Sequence, residues 1–220
     1  LKITQQNRLR PAMGVFGGTF DPIHQGHLRT VASVQQQLGL AQVLFIPAAR
    51  PRLRSVPTAS ATDRLEMLKR ALATEPSFNV NDLELERDGP STTVLTLEAL
   101  HHDYQETPIC FILGIDAFLG LPQWHRWTEL LGLAHFVVMS RPGTVQPAER
   151  PTWWVRAETT DLSVVHRRRA GSIVMVDVPP MDVAASKIRE RLRAGDDISR
   201  SVPKSVIDYI TEHRLYGFDF

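Results

Sequence analysis

The order of hydrophobic and polar positions along the chain predicts an α/β fold. Short apolar runs rich in β-branched and aromatic residues alternate with segments whose apolar residues recur three or four positions apart. The former are typical of buried strands and the latter of amphipathic helices. Because buried strands joined by helices form parallel sheets, we expect a Rossmann-like, open, twisted parallel sheet with helices on both faces. The predicted strands span residues 13–16, 43–46, 80–85, 109–113, 136–139 and 173–176.

Helical spacing predicts five main helices, at residues 27–38, 63–73, 93–101, 186–193 and 204–213. Gly39 and Gly195 follow two of them, where a left-handed glycine commonly ends a helix. Polar and apolar residues alternate from Phe78 onwards, which favours an edge strand with one solvent-exposed face. Residues 47–61 and 141–171 show no clear period, so no element is predicted there and long loops are expected.

Composition sets the scale of the fold. The 220 residues are 43% apolar and 22% charged, which is enough for one sizeable core and excludes a disordered or fibrous chain. We expect a single domain over residues 13–220, whose last part, residues 180–220, is a small helical subdomain. Residues 1–12 are polar and aperiodic, so we expect a head that is disordered or foreign to the domain.

Charge indicates which classes of partner to expect, and the cysteine content indicates the kind of compartment. Lysine and arginine total 25 against 24 aspartate and glutamate, a formal charge of +1. A balanced charge creates no field of one sign, so neither nucleic acid nor a membrane is expected as the main partner. The run Arg167 to Arg169 is accordingly interpreted as a charged surface rather than a phosphate site. Cys110, the single cysteine, lies in an apolar run and is expected to be a buried, inert thiol, which fits a reducing compartment.

The clearest chemical signal is the turn between the first strand and the first helix. Residues 16–28 read Phe-Gly-Gly-Thr-Phe-Asp-Pro-Ile-His-Gln-Gly-His-Leu. Open α/β sheets bind ligands at this place, and Gly17 and Gly18 let backbone N–H groups approach phosphate oxygens closely. His24 and His27 are three apart, so both imidazoles can face one side and stabilise charge that builds up on a phosphate. The alternative is that each histidine only satisfies local hydrogen bonds in the turn.

Competing motifs are missing from the sequence. Neither the P-loop pattern G-x-x-x-x-G-K-[ST] nor the dinucleotide fingerprint G-x-G-x-x-G occurs after the first strand. A Rossmann-type oxidoreductase is therefore disfavoured. No cysteine or third histidine stands at zinc-ligand spacing from the two histidines, so no metal held by the protein is expected.

The histidine turn resembles that of the H-x-G-H nucleotidyltransferases, and among them the bacterial nicotinate-nucleotide adenylyltransferases, with the resemblance running from Met13 to near Phe220. It implies transfer of AMP from ATP to nicotinate mononucleotide, forming nicotinate adenine dinucleotide and pyrophosphate in NAD synthesis. It also implies in-line attack without a covalent intermediate and Mg²⁺ carried by the ATP phosphates. We expect a cytoplasmic enzyme that is a monomer or a homodimer. The resemblance makes His24 and His27 catalytic and places ATP against Gly17, Gly18, Thr19 and Phe20.

Two segments resemble substrate-binding parts of that family. Residues 89–97 read Gly-Pro-Ser-Thr-Thr-Val-Leu-Thr-Leu, which implies a nicotinate contact at Thr93, while Ser91 or Thr92 is equally apt as a helix N-cap. Relatives often have tyrosine at the position of Thr92. Residues 113–124 imply adenosine and ribose contacts at Gly114 and Asp116 and stacking of Trp124 on the nicotinate ring. Helix capping by Asp116 and core packing of Trp124 are the alternatives.

A third segment, residues 183–189, resembles the superfamily motif I-S-x-T-x-x-R. The resemblance implies that Ser186 and Arg189 hold the ATP phosphates at a helix N-terminus. Ala184 replaces a hydroxyl residue of the motif, and we hypothesise that Lys187 compensates.

The loop after the second strand also departs from the family pattern. Leu53 stands where relatives commonly have histidine, and Arg54 keeps a cation for the phosphate of the mononucleotide. These departures leave a second class of function open, a nucleotide-binding sensor without catalysis. Nicotinamide mononucleotide, phosphopantetheine and glycerol phosphate nucleotidyltransferases share the first motif and are further alternatives, although the segment from Asp116 to Trp124 argues against the last two.

Overall fold

The computed structural model describes residues 11–49, 56–89, 91–140 and 149–217. Its six strands form one parallel sheet in the order β3-β2-β1-β4-β5-β6, which confirms the predicted α/β architecture. The strands are β1 (Met13–Gly18), β2 (Gln42–Pro47), β3 (Phe78–Val80), β4 (Ile109–Gly114), β5 (His135–Ser140) and β6 (Ile173–Asp177). The helices are α1 (Gln25–Leu38), α2 (Ala61–Leu72), α3 (Leu83–Glu86), α4 (Thr93–Asp103), α5 (Ile115–Leu119), α6 (Trp127–Leu133), α7 (Thr152–Ala157), α8 (Val164–Arg167), α9 (Ala185–Arg193) and α10 (Lys204–Glu212).

The sheet is covered on both faces. Val15 of β1 belongs to one buried cluster and its neighbour Phe16 belongs to the other, because successive side chains of a strand point to opposite faces. Cys110 is fully buried in β4, as expected, and burial raises the pKa of its thiol to about 12. Gly39 and Gly195 both adopt left-handed backbone at φ 61° and 74°, which confirms them as helix stops.

The strand predicted at residues 80–85 is wrong beyond its first residue. β3 ends at Val80, and residues from Leu83 onwards form α3. The side-chain oxygen of Asn81 accepts a hydrogen bond from the backbone N–H of Leu83 at 3.1 Å, a local turn that competes with strand pairing. The expected edge position is correct, since β3 lies at one end of the sheet.

Residues 141–171, for which no element was predicted, contain α7 and α8. These helices have six and four residues, too few to show a helical period in the sequence. Trp154 of α7 is 1% exposed and packs edge-on against Phe118 at 4.8 Å between ring centroids. The tryptophans of this segment therefore belong to the core.

Part of each end of the chain lies within the described residues. Residues 1–10 of the predicted head lie outside the described residues, while Ala12 is fully buried. Near the other end, α10 packs on α2.

The division into a main domain and a helical subdomain from residue 180 stays a prediction. No helix in the described ranges is long and apolar enough to cross a membrane.

Candidate active site

A cavity of about 610 Å³ opens where the carboxyl ends of β1 and β4 lie side by side. The strand order changes direction at this point, because β2 and β3 lie on one side of β1 and β4 to β6 on the other. Open α/β sheets bind their ligands at such switch points. Seven of the thirteen predicted site residues line the cavity: Gly17, Gly18, Thr19, His27, Thr93, Gly114 and Trp124.

The two histidines of the turn lie against each other. His24 is the N-cap of α1 and His27 lies in its first turn, and their rings stack with centroids 3.7 Å apart and planes 20° from parallel. His24 is 6% exposed, and its Nδ1 is buried with no hydrogen-bond partner among the described residues. Burial lowers the pKa of His24 from 6.5 to about 4, so its imidazole is neutral near pH 7.

The glycine between the histidines lets the ring of His24 pack closely against the backbone. A Cβ atom on Gly26 would lie 3.0 Å from Nδ1 of His24 and 3.1 Å from Cε1. A Cβ on Gly18 would lie 2.7 Å from the ring of Phe20. Phe20 itself is 2% exposed and meets His27 edge-on at 5.3 Å between ring centroids. The Phe20 side chain thus supports the histidine ring from the core and does not line the cavity.

Asp21 anchors the turn to three distant parts of the chain. Its buried carboxylate accepts hydrogen bonds from the backbone N–H groups of Thr58 at 2.7 Å and Ala59 at 3.1 Å. The hydroxyl of Tyr216 donates to it at 2.8 Å, and Arg189 donates to the backbone carbonyl of Asp21 at 2.6 Å. The acidic residue of the motif therefore has a structural role that the sequence analysis did not identify.

Arg64 is a second residue that the sequence analysis missed. It is 1% exposed, and one guanidinium nitrogen donates to the carbonyls of Thr19 and Ala48, both at 2.8 Å. It therefore ties together the loops that follow β1 and β2. Burial lowers the pKa of Arg64, and the charge of Asp21 opposes that shift. A signal was present, because Arg64 lies three and four residues before the buried Met67 and Leu68, on the apolar face of α2.

Thr93 and Trp124 also line the cavity. Thr93 is the first residue of α4, and Thr92 is its N-cap residue but makes no side-chain capping bond. The hydroxyl of Ser91 instead accepts from the backbone N–H of Ala49 at 3.0 Å. Trp124 is half-buried and meets Phe111 edge-on at 6.0 Å between ring centroids. One part of the indole packs on the core and the residue still lines the cavity.

The other six predicted site residues either do not line the cavity or lie outside the described residues. Five are described and do not line it: His24, Phe20, Asp116, Ser186 and Arg189. Asp116 is exposed in the first turn of α5, and Ser186 is exposed in the first turn of α9. Arg189 is half-buried against the histidine turn. Arg54 and Leu53 lie outside the described residues.

Two charged segments singled out by the sequence have partners on the surface. Lys187 pairs with Asp182 at 3.0 Å, next to Ala184, which is the N-cap residue of α9 and provides no capping bond. Arg167 forms an ion pair with Asp161, and neither it nor the two arginines that follow line the cavity. The interpretation of that run as charged surface is consistent with these contacts.

A family model described as cytidylyltransferase-like matches residues 15–191, from β1 through the histidine turn to α9. The chain belongs to the cytidylyltransferase-like family. This membership confirms the expected nucleotidyltransferase class.

Relatives of this cytidylyltransferase-like chain cover almost its whole length. A protein of Aeromonas salmonicida (strain A449), named probable nicotinate-nucleotide adenylyltransferase, is 44% identical over 213 residues, which are 96% of this chain and 100% of the relative. A protein of Yersinia pestis (strain Pestoides F) with the same name is 41% identical over 92% of this chain and 94% of the relative.

Solved structures share the fold. Nicotinic acid mononucleotide adenylyltransferase of Plasmodium falciparum complexed with NaAD has a TM-score of 0.72 at 16% identity, covering 94% of this chain and 98% of that one. The same enzyme complexed with APC has a TM-score of 0.71, also at 16% identity, covering 95% of this chain and 98% of that one. At this identity the likeness concerns the fold.

Proposed function

We propose that this protein transfers AMP from ATP to nicotinate mononucleotide, releasing pyrophosphate and forming nicotinate adenine dinucleotide in the synthesis of NAD. The observation that carries the proposal is one cavity that joins the His27 turn to Trp124 and Thr93, in a chain 44% identical to a relative of that name along the relative's full length. Such a cavity offers a phosphate-facing end and an aromatic end to the two substrates. A cytoplasmic location is part of the same proposal.

The 5′-phosphate of the mononucleotide attacks the α-phosphorus of ATP, and the bond from that phosphorus to the bridging oxygen breaks as pyrophosphate leaves. A phosphate is already ionised at pH 7, so the step needs no general base, and catalysis consists of positioning and electrostatic stabilisation. Backbone N–H groups of Gly17 and Gly18 and the N-terminus of α1 face the phosphates, and α1 has no acidic residue in its first turn to oppose them.

The stacked histidines supply hydrogen-bond donors where negative charge develops. Because His24 is neutral in the free enzyme, it donates one hydrogen bond as an imidazole and adds no fixed positive charge before ATP binds. In this proposal, Ser186 and Arg189 hold the departing phosphates. Gly114 and Asp116 bind the adenosine, and Thr93 and Trp124 bind the pyridine ring. Arg54 binds the phosphate of the mononucleotide.

Mg²⁺ enters with ATP in this proposal. The described residues contain no group of three or more histidine, cysteine or acidic side chains placed to hold a metal. We propose that the phosphates of ATP supply the ligands of the ion. When bound there, Mg²⁺ neutralises charge on the phosphates.

The test is pyrophosphate release from ATP and Mg²⁺ with nicotinate mononucleotide or nicotinamide mononucleotide as acceptor. We expect a strong preference for the acid. His27→Ala is expected to lower kcat by about a hundredfold or more with the fold intact, since it removes a donor to the transition state. His102→Ala is the matched control, because that histidine is on the surface with its side chain 86% exposed. If the protein binds ATP but releases no pyrophosphate with either acceptor, a nucleotide-binding sensor without catalysis is favoured instead.

A further inference from the structure

Arg126 occupies an unusual backbone position beside the cavity. It follows Trp124 and His125, which line the cavity, and precedes the first residue of α6. Its φ is 51° and its ψ 38°, in the left-handed region that disfavours residues with a Cβ atom. Glycine would meet the backbone requirement more easily, so the side chain at this position needs a separate explanation.

The side chain of Arg126 joins two helices. One guanidinium nitrogen, Nη2, donates to Oε1 of Glu98 on α4 at 2.8 Å. Nε and Nη2 also donate to the two carboxylate oxygens of Glu129 on α6, at 2.8 and 2.5 Å. The planar fork of arginine fits such a two-oxygen contact, which lysine cannot reproduce.

These contacts link the two halves of the pyridine end of the cavity. Glu98 lies on the helix that Thr93 begins, and Trp124 lies two residues before Arg126. On the other side of Arg126, Trp127 is held by Trp153, with ring centroids 5.4 Å apart. The segment that carries Trp124 is therefore fixed at both ends by aromatic contacts and in the middle by the bridge to α4.

We propose that Arg126 is a positioning residue that sets Trp124 and His125 against the first turn of α4 and thereby determines the affinity for the pyridine mononucleotide. Arg126 does not touch the substrate in this proposal. Its exposed ion pairs contribute little to global stability, because solvent screens them. Their effect lies in the orientation of the cavity wall, where a displacement of about 1 Å is enough to weaken binding strongly.

The inference rests on the proposed function of the cavity and is tested with four variants in the pyrophosphate-release assay. Arg126→Gly removes the bridge while accepting the left-handed backbone, and Glu98→Gln replaces the charged acceptor on α4 by a neutral and weaker amide oxygen. Glu129→Gln is the matched control, because it makes the same change in the partner on α6 and leaves the link to α4 in place. Trp124→Ala reports separately on whether the indole binds the pyridine.

We expect Arg126→Gly and Glu98→Gln each to raise the KM for nicotinate mononucleotide about tenfold while the KM for ATP changes less than about twofold. A double variant that combines Arg126→Gly with Glu98→Gln is made in addition, and its KM is expected to be no higher than that of Arg126→Gly, since both changes act on the same contact to α4. Glu129→Gln is expected to have a much smaller effect on the same KM. A purely structural role would lower the melting temperature without this split between the two KM values.

Two further outcomes separate the inference from the proposed function. If Trp124→Ala raises the KM for the mononucleotide but Arg126→Gly and Glu98→Gln do not, the positioning role is wrong and the site assignment stands. If Trp124→Ala leaves that KM unchanged, the assignment of the pyridine end itself is wrong, and the inference is overturned with it.

Discussion

The buried histidine of the turn makes the stability of the protein depend on pH. His24 is 6% exposed, and burial lowers its pKa from 6.5 to about 4. In the unfolded chain the imidazole is solvated and takes up a proton below its ordinary pKa of about 6.5. Between these two pKa values the unfolded state binds more protons than the native state, so the free energy of unfolding falls as the pH falls.

The size of the effect follows from the two pKa values. With 6.5 for the unfolded chain and about 4 for the folded protein, the contribution of His24 is fully present above pH 6.5 and fully lost below pH 4. The complete loss is about 3 kcal/mol, because each unit of pKa shift corresponds to about 1.4 kcal/mol. Between pH 7 and pH 5 the expected loss is about 2 kcal/mol.

The assay is urea unfolding of the free enzyme between pH 7 and pH 5, compared with His24→Gln, which does not titrate. Between pH 7 and pH 5, we expect the free energy of unfolding of His24→Gln to fall by about 2 kcal/mol less than that of the wild type. His135 is also buried and has a pKa lowered by burial, but it is present in both proteins, so the difference between them isolates His24. His102→Gln serves as the exposed control. Parallel stability curves for the wild type and His24→Gln would refute the argument that His24 is held neutral by burial.

Two other substitutions test the packing of the turn. Gly26→Ala places a methyl group 3.0 Å from Nδ1 of His24, so we expect a folded protein whose kcat falls at least about tenfold in the pyrophosphate assay. Gly132→Ala is the matched control, because a Cβ atom there meets no atom within 4 Å, and it is expected to keep full activity. Tyr216→Phe leaves the buried carboxylate of Asp21 without one donor, and we expect the free energy of unfolding to fall by about 1–3 kcal/mol in urea titration. An unchanged midpoint would show that this hydrogen bond contributes nothing net.

The sheet and the histidine turn were predictable because their signals are local. The strands at residues 13–16, 109–113 and 136–139 are continuous apolar runs, and each lies inside the observed β1, β4 or β5. Gly39 could be placed because the end of a helix needs a left-handed residue. The spacing of His24 and His27 likewise predicted that their rings face the same side, since one helical turn brings residues three apart together.

The contacts that hold the site in place were not predictable, because they join residues far apart in sequence. Tyr216 and Asp21 are 195 positions apart, and no local pattern pairs a tyrosine near one end of the chain with a motif near the other. Arg64 could be identified as buried from the apolar face of α2, but its partners, the carbonyls of Thr19 and Ala48, depend on how two loops meet. α3 was missed because a single asparagine turn overrides the alternation of the preceding strand.

The network around Asp21 explains how Arg189 can serve both the fold and the proposed chemistry. Arg189 reaches from α9 to the backbone carbonyl of Asp21 at 2.6 Å, which holds its guanidinium beside the histidine turn before any substrate is present. A guanidinium has five N–H donors, and this bond uses one of them. The others remain to contact phosphate oxygens, so binding ATP does not require the structural bond to break. In the proposed chemistry, this placement reduces the side-chain freedom that is lost when Arg189 binds phosphate.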